Sequence, residues 1–178
     1  MHDIVLVYPS LPVVTRGPYV PHGILSIASF LVDKGYNVKI VDENVGDNVK
    51  QQLQQAIKDS VICVGISTMT GPQISNALRA SEIVRQIDPN IPIVWGGVHP
   101  TLLPEETILD NHIDIIIRGE GEETLLELAQ YLESGKSFRE VEGIAFKEGD
   151  KIVSTPDRAF LDLNCMPPVN YKLIDLRK

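Results

Sequence analysis

The chain predicts an α/β fold: a doubly wound, five-stranded parallel sheet of the flavodoxin-like, Rossmann type, followed by a C-terminal β-hairpin and an extended tail. Three observations predict it. Apolar runs rich in β-branched residues alternate with helical patterns as far as Gly135, which is how repeated strand–helix units read. Those runs are continuous rather than alternating, as in strands buried on both faces. Glycine-bearing turns follow two of them, at Trp95-Gly96-Gly97-Val98-His99-Pro100 and Arg118-Gly119-Glu120-Gly121-Glu122. An open parallel sheet binds its ligands at such strand exits.

Strand one is Ile4–Tyr8. Its helix runs over Pro21–Lys34, with Ile24, Leu25, Ala28, Leu31 and Val32 on one stripe, and stops at Gly35. Strand two is Val38–Val41, ending at Asp42. Val49–Lys58 is a polar helix with few apolar anchors. Strand three is Val61–Ile66, ending at Ser67, and Gln73–Ile87 is the helix that follows, stopped at Asp88-Pro89. Strand four is Ile91–Trp95, Pro104–Leu109 a short helix, Ile113–Ile117 strand five, and Glu122–Leu132 a helix that closes near Ser134-Gly135. Five such strands imply the order 2-1-3-4-5. After Gly135 the rhythm changes. Gly143–Lys147 and Lys151–Ser154 flank Glu148-Gly149-Asp150, a hairpin pattern. Prolines and isolated apolar residues then suggest an extended linker lying on a surface, and the end at Leu176-Arg177-Lys178 reads as leading into something longer. The expected organisation is an α/β domain over 1–135 and a hairpin with linker over 136–178.

A chain of 178 residues can bury a real core. Its net charge of −8 argues against a nucleic-acid partner and against an anionic membrane surface. No apolar run approaches the roughly 18 residues of a membrane span. Met1 to Leu6 runs straight into a strand, so no secretory signal is read and a cytoplasmic location is expected. Cys63 and Cys165 have no metal-ligand spacing and read as a buried thiol and an incidental one. Nothing groups the four histidines into a metal site.

Four segments carry candidate chemistry. Ser67-Thr68-Met69-Thr70 puts three hydroxyls between strand three and its helix, for capping or for ligand contact. Gly96-Gly97 reads either as a tight turn or as bare backbone against a flat ligand. His99 and His22 are each open to a structural or a contact role. Arg118-Gly119-Glu120-Gly121-Glu122-Glu123-Thr124 mimics the dinucleotide fingerprint. It lies on the fifth strand, however, and three carboxylates there would repel a pyrophosphate while suiting the helix dipole. A structural role and contact with a polar ligand or a neighbouring domain both stay open. The loop Pro9–Pro21 is long for a βα connection and carries four prolines, as a cover over a site or as a disordered loop. Two rival uses of the fold fail. A phosphoacceptor receiver needs aspartate and lysine where Ser67 and Arg118 stand, and a flavodoxin needs a hydroxyl-rich loop after strand one. No nucleophile–base–orienter set is legible, so no catalytic residue is assigned.

Gly65-Ile66-Ser67, Trp95-Gly96-Gly97-Val98-His99-Pro100 and Arg118-Gly119-Glu120-Gly121-Glu122 resemble the N-terminal cobalamin-binding domain of cobalamin-dependent radical-SAM enzymes. The resemblance covers nearly the whole chain. It implies that Ser67, Thr68 and Met69 match the family's Ser-x-Leu element, whose serine contacts the nucleotide base of the cofactor's tail. It implies that Gly96 and Gly97 leave room for that tail, with Val98 beside them, and that Gly119, Glu120 and Gly121 lie at the rim. Asp42 and Asn44 would lie near the lower face of the corrin. Asn44 stands where the family's general pattern has histidine, so the resemblance implies base-off cobalamin with no protein imidazole on cobalt. The parent enzyme would be a methyltransferase or cyclase using S-adenosylmethionine and a [4Fe-4S] cluster. This chain lacks the CxxxCxxC motif for such a cluster. Its expected partner is a radical-SAM domain of the same parent chain. The alternative is a degenerate docking domain that no longer binds cobalamin.

Overall fold

A computed structural model describes residues 3–11, 20–45, 48–58 and 61–174. Five parallel strands form the centre: β1 (Asp3–Tyr8), β2 (Asn37–Asp42), β3 (Val61–Ser67), β4 (Ile93–Gly96) and β5 (Ile115–Ile117). Two further strands, β6 (Ile144–Glu148) and β7 (Lys151–Ser154), continue the same sheet, giving the order β2-β1-β3-β4-β5-β6-β7. The expected sheet of five strands is thus corrected to seven. The physical reason is the edge at β5. Ile117, Ile116 and Ile115 pair antiparallel with Ile144, Ala145 and Phe146, all buried. An apolar three-residue strand left unpaired would expose its backbone groups.

Among the described residues six α-helices cover the sheet: α1 (His22–Asp33), α2 (Val49–Ala56), α3 (Gln73–Ile87), α4 (Val98–Leu102), α5 (Pro104–Ile108) and α6 (Glu122–Ser134). Strand side chains alternate between the two faces. Val5, Val7, Val64, Ile66 and Trp95 meet Leu53 of α2 and Ala77, Ala80 and Val84 of α3. Ile4, Leu6, Val94 and Ile117 meet Ile24 and Leu31 of α1 and Leu125 and Leu128 of α6. Each fully buried Leu or Ile contributes about 2 kcal/mol relative to exposure. Trp95 keeps its one polar group satisfied, donating its indole N–H to Ser81 Oγ at 2.9 Å.

Element ends differ from the sequence reading where backbone chemistry intervenes. β4 starts at Ile93 rather than Ile91, because Pro92 has no N–H to give to a ladder. β5 starts at Ile115; just before it, Asp114 gives its N–H to Ile93 O at 3.0 Å while its carboxylate accepts Ile93 N–H at 2.7 Å and pairs with Arg85. Helix α4 was not expected at all. Pro100 sits at its third position, where a missing N–H costs nothing.

Residues 155–170 of the tail are pinned to the sheet and helices. Arg118 bonds Thr155 O and pairs with Asp157. Arg158 donates to Thr124 Oγ1 at 2.9 Å and pairs with Glu127 of α6. Farther along, Asn170 N–H reaches Ser29 Oγ of α1 at 2.9 Å. No described helix is long and apolar enough to cross a membrane.

Candidate functional site

The carboxyl ends of β1, β3, β4 and β5 meet the first turns of α1 and α6. Between them lies a cavity of about 230 Å³. Leu6, Val94 and Ile117 line its floor, and Ile24, Ile27 and Leu125 line the helix walls. Ser67, Gly96, Gly97, Gly119, Glu120 and Gly121 complete the lining.

Missing side chains open this slot. Gly65 and Gly96 sit in β3 and β4 on the face shared with α1 and α6. A Cβ at Gly65 would lie 2.8 Å from Leu6 Cδ2, and one at Gly121 would lie 2.8 Å from Ile27 Cδ1. Real Cβ atoms do not come so close, but both neighbours are side-chain ends, so a larger residue at either place would require the Leu6 or Ile27 side chain to turn and take up slot space. At Gly96 a Cβ would make ordinary contact, 3.8 Å from Ile117 Cβ.

Gly97 behaves differently. Its φ is +98° and a Cβ would meet Thr68 O at 2.9 Å. The β3 and β4 exits are laced together here: Thr68 N–H donates to Gly96 O at 2.8 Å, and His99 N–H donates to Thr68 O at 3.0 Å. Gly97 is therefore required by a backbone approach as well as by its place on the cavity.

The hydroxyls after β3 do not cap α3, whose N-cap is Pro72 without a side-chain cap. Met69 N–H instead donates to Gln73 Oε1 at 2.7 Å. Ser67 lines the slot, and among the described residues none hydrogen-bonds its hydroxyl. Thr68 is fully buried, with Oγ1 unpartnered among the described residues, but it does not line the slot. Met69 and Val98 are exposed beside it.

The acidic turn is held by neighbours. Glu120 accepts Leu161 N–H at 2.7 Å, Glu122 accepts the Ser26 hydroxyl at 2.7 Å, and Glu123 lies 3.9 Å from Arg158. Gly119 N–H donates to Thr101 Oγ1 at 3.0 Å. Glu122 and Glu123 also stand in the first turn of α6, where its dipole favours them.

Asp42 and Asn44 lie away from the slot lining. Asp42 Oδ1 accepts both Asn44 N–H and Asn44 Nδ2, at 2.9 and 2.8 Å, and Asn44 Oδ1 accepts Leu11 N–H at 3.1 Å. Asn44 thus ties the loop after β1 to the loop after β2. Residues 12–19 of the long proline loop, Gly46-Asp47 of the strand-two element and residues 175–178 of the tail fall outside the described residues. His99 Nδ1 is 3.4 Å from Thr70 Oγ1, and the His22 ring stands edge-on to Tyr171 at 6.4 Å. Among the described residues no group of His, Cys, Asp or Glu is arranged for a metal ion. Cys63 is buried in β3, and burial pushes its thiol up to about 12.

Reading the sequence missed the slot walls: Leu6, Gly23, Ile24, Ile27, Gly65 and Leu125. The signal available was Gly65, a glycine inside an otherwise apolar strand, which marks close approach of another group.

Residues 12–129, about two-thirds of the chain, match the family model described as B12 binding domain. The chain belongs to the B12 binding domain family. This B12 binding domain is 32% identical over 163 residues to an anaerobic magnesium-protoporphyrin IX monomethyl ester cyclase of Synechocystis sp., covering 89% of this chain and 32% of that protein. It is 34% identical over 168 residues to an uncharacterized methyltransferase of Pyrococcus horikoshii, covering 92% and 36%. The chain spans about a third of the length of these curated relatives. Two solved structures share the fold. The radical S-adenosylmethionine methyltransferase TsrM of Kitasatospora setae, with cobalamin and a [4Fe-4S] cluster bound, gives a TM-score of 0.77 at 20% identity, over 94% of this chain and 31% of that one. The cobalamin-dependent S-adenosylmethionine radical enzyme OxsB, with aqua-cobalamin and S-adenosylmethionine bound, gives 0.76 at 22% identity, over 90% and 23%.

Proposed function

We propose that this B12 binding domain holds cobalamin by taking the cofactor's nucleotide tail into the slot between α1 and α6. One observation carries the reading: an apolar cavity at the carboxyl edge of the sheet, with the free Ser67 hydroxyl on its lining. A flat heterocycle fits such a lining, because its faces need apolar contact and its edge needs one polar partner. In this reading Ser67 meets the base, Gly96, Gly97 and Val98 border the tail, and Thr68 and Met69 support Ser67 from behind. Gly119, Glu120 and Gly121 form the rim.

Asp42 and Asn44 then lie toward the lower face of the corrin. Asn44 offers no imidazole, and its side chain is already engaged with Asp42 and Leu11. In this reading the cofactor would be held base-off, with its base in the slot and with no histidine from the strand-two element on cobalt. Bound cobalamin supplies cobalt chemistry to a parent methyltransferase or cyclase. This chain binds and orients it, and carries no catalytic residue of its own.

The parent is a radical-SAM enzyme in this reading. S-adenosylmethionine and a [4Fe-4S] cluster belong to a further domain, since two cysteines cannot supply a three-cysteine motif. Residues 136–178 act as hairpin and linker toward that domain, and residues 1–135 as the cofactor module.

Incubation with hydroxocobalamin followed by desalting tests the reading. The protein fraction is expected to stay coloured, and its cobalt(II) form to show no nitrogen splitting from an axial ligand. Colourless protein would favour a docking domain that packs on its partner without cofactor.

A further inference from the structure

We infer that Gln73 is a positioning residue for the cofactor: its side-chain amide ties the exit of β3 to the exit of β1 and so sets the seat on which the corrin lies. The inference rests on the cobalamin reading above and concerns the corrin rather than its nucleotide base. The topology gives the place. In the order β2-β1-β3 the chain reverses direction between β1 and β3, and a doubly wound sheet takes its ligand at that crevice. Gln73 opens α3 with a side chain that spans it. Its Oε1 accepts Met69 N–H at 2.7 Å, beyond β3, and its Nε2 donates to Pro9 O at 2.8 Å, beyond β1. The amide faces only one way, since Met69 N–H only donates and Pro9 O only accepts.

Gln73 is 2% exposed, so the amide holds both bonds away from water. Its neighbours continue the tie. One turn along α3, Asn76 Nδ2 donates to Ser10 O at 2.9 Å. Ser10 N–H donates to Glu43 Oε2 at 2.8 Å, and Leu11 N–H to Asn44 Oδ1 at 3.1 Å. Pro9 has no N–H to satisfy. Each backbone polar group from Pro9 O to Leu11 N–H therefore has a side-chain partner brought from a distant part of the chain. A backbone held in this way is fixed before any ligand arrives, which spares the cofactor the cost of ordering it. Loss of the Gln73 amide unlinks the two lips of the crevice. If the untied loop keeps the bound geometry about a tenth of the time, affinity falls about 10-fold.

Equilibrium dialysis of the 178-residue chain against hydroxocobalamin and against cobinamide, which has no base, tests the inference. Gln73→Met keeps the side-chain length and loses both hydrogen bonds. It is expected to bind both corrinoids about 10-fold more weakly, whereas Ser67→Ala weakens hydroxocobalamin alone. Ser81→Ala breaks a buried hydrogen bond farther along α3. It is expected to lower the melting temperature with both affinities unchanged, which separates positioning from stability. Wild-type affinity for both corrinoids in a folded Gln73→Met protein overturns the inference and leaves the cobalamin reading intact. A loss for hydroxocobalamin alone overturns it too, because Gln73 would then act through Ser67 and the base. Failure of the wild type to bind either corrinoid overturns the cobalamin reading and this inference together. If thermal melting shows Gln73→Met to be unfolded, Gln73→Asn decides by the same measurements: it keeps the amide but is one methylene too short to span Met69 and Pro9.

Discussion

Gly97 and Thr68 are in backbone contact: a Cβ on Gly97 would lie 2.9 Å from the Thr68 carbonyl oxygen. That contact joins the exits of β3 and β4, and it separates two adjacent glycines by role. At Gly97, φ is +98° and any side chain is strained; at Gly96 neither condition holds. Gly97→Ala is expected to cost about 1–3 kcal/mol, read as a shift in the denaturant midpoint. Gly96→Phe is expected to keep a cooperative melt while projecting its ring into the slot and abolishing retention of hydroxocobalamin. A Gly96→Phe protein that retains the corrinoid as wild type does would place the ligand elsewhere.

Arg158 fastens the tail to α6 through Thr124, Glu127 and Glu123. Its side chain is 19% exposed, so much of its charge depends on these partners. Arg158→Ala is expected to lower stability by about 1.5–3 kcal/mol and to open residues 155–174 to limited proteolysis while the sheet persists. Arg158→Lys should recover little, because an ammonium cannot reach hydroxyl and carboxylate with a planar fork. Unchanged proteolysis in the alanine variant would show that other contacts hold the tail.

Trp95 is the chain's one tryptophan. Its indole N–H has Ser81 Oγ as partner in a fully buried setting. Ser81→Ala leaves that donor unpaired and is expected to cost about 1–3 kcal/mol. Unfolding followed by Trp95 fluorescence measures it, and a cost near zero would contradict the pairing.

Burial raises the Cys63 thiol from its ordinary 9.0 to about 12. Tyr36 moves the same way, from 10.0 to about 12, first by burial and then by its bond to Glu133. The unfolded chain releases these protons from about pH 9–10, and the folded chain holds them to about pH 12. The folded state therefore binds more protons across this window, and stability falls as pH rises through it. Melting temperature should decline between pH 9 and 11. At pH 8, iodoacetamide should modify exposed Cys165 alone until denaturant exposes Cys63. Modification of Cys63 in the native protein would contradict its burial.

Much of the parallel sheet was legible because each strand is a continuous apolar run with a helix after it. The exits were legible too: Ser67, Gly96-Gly97 and Gly119-Glu120-Gly121 stand out as polar or glycine residues directly after those runs. The extension of the sheet by β6 and β7 was not, since a hairpin pattern does not say what its outer strand pairs with. The slot was hidden for a related reason. Ile24, Ile27 and Leu125 read as ordinary core stripe, and that they wall a cavity depends on how α1 and α6 meet beside Gly121, which the apolar pattern does not give. In the sequence Asn44 stands where the family's general pattern has histidine. Its role in tying Leu11 to Asp42 depends on a partner 33 residues away.

A crystal structure of the chain grown with hydroxocobalamin tests the central claim most directly. The account predicts the nucleotide base between α1 and α6, its ring nitrogen within hydrogen-bond distance of Ser67 Oγ, and no histidine on cobalt. A base that stays coordinated to cobalt, or lies outside the slot with Ser67 untouched, would contradict it.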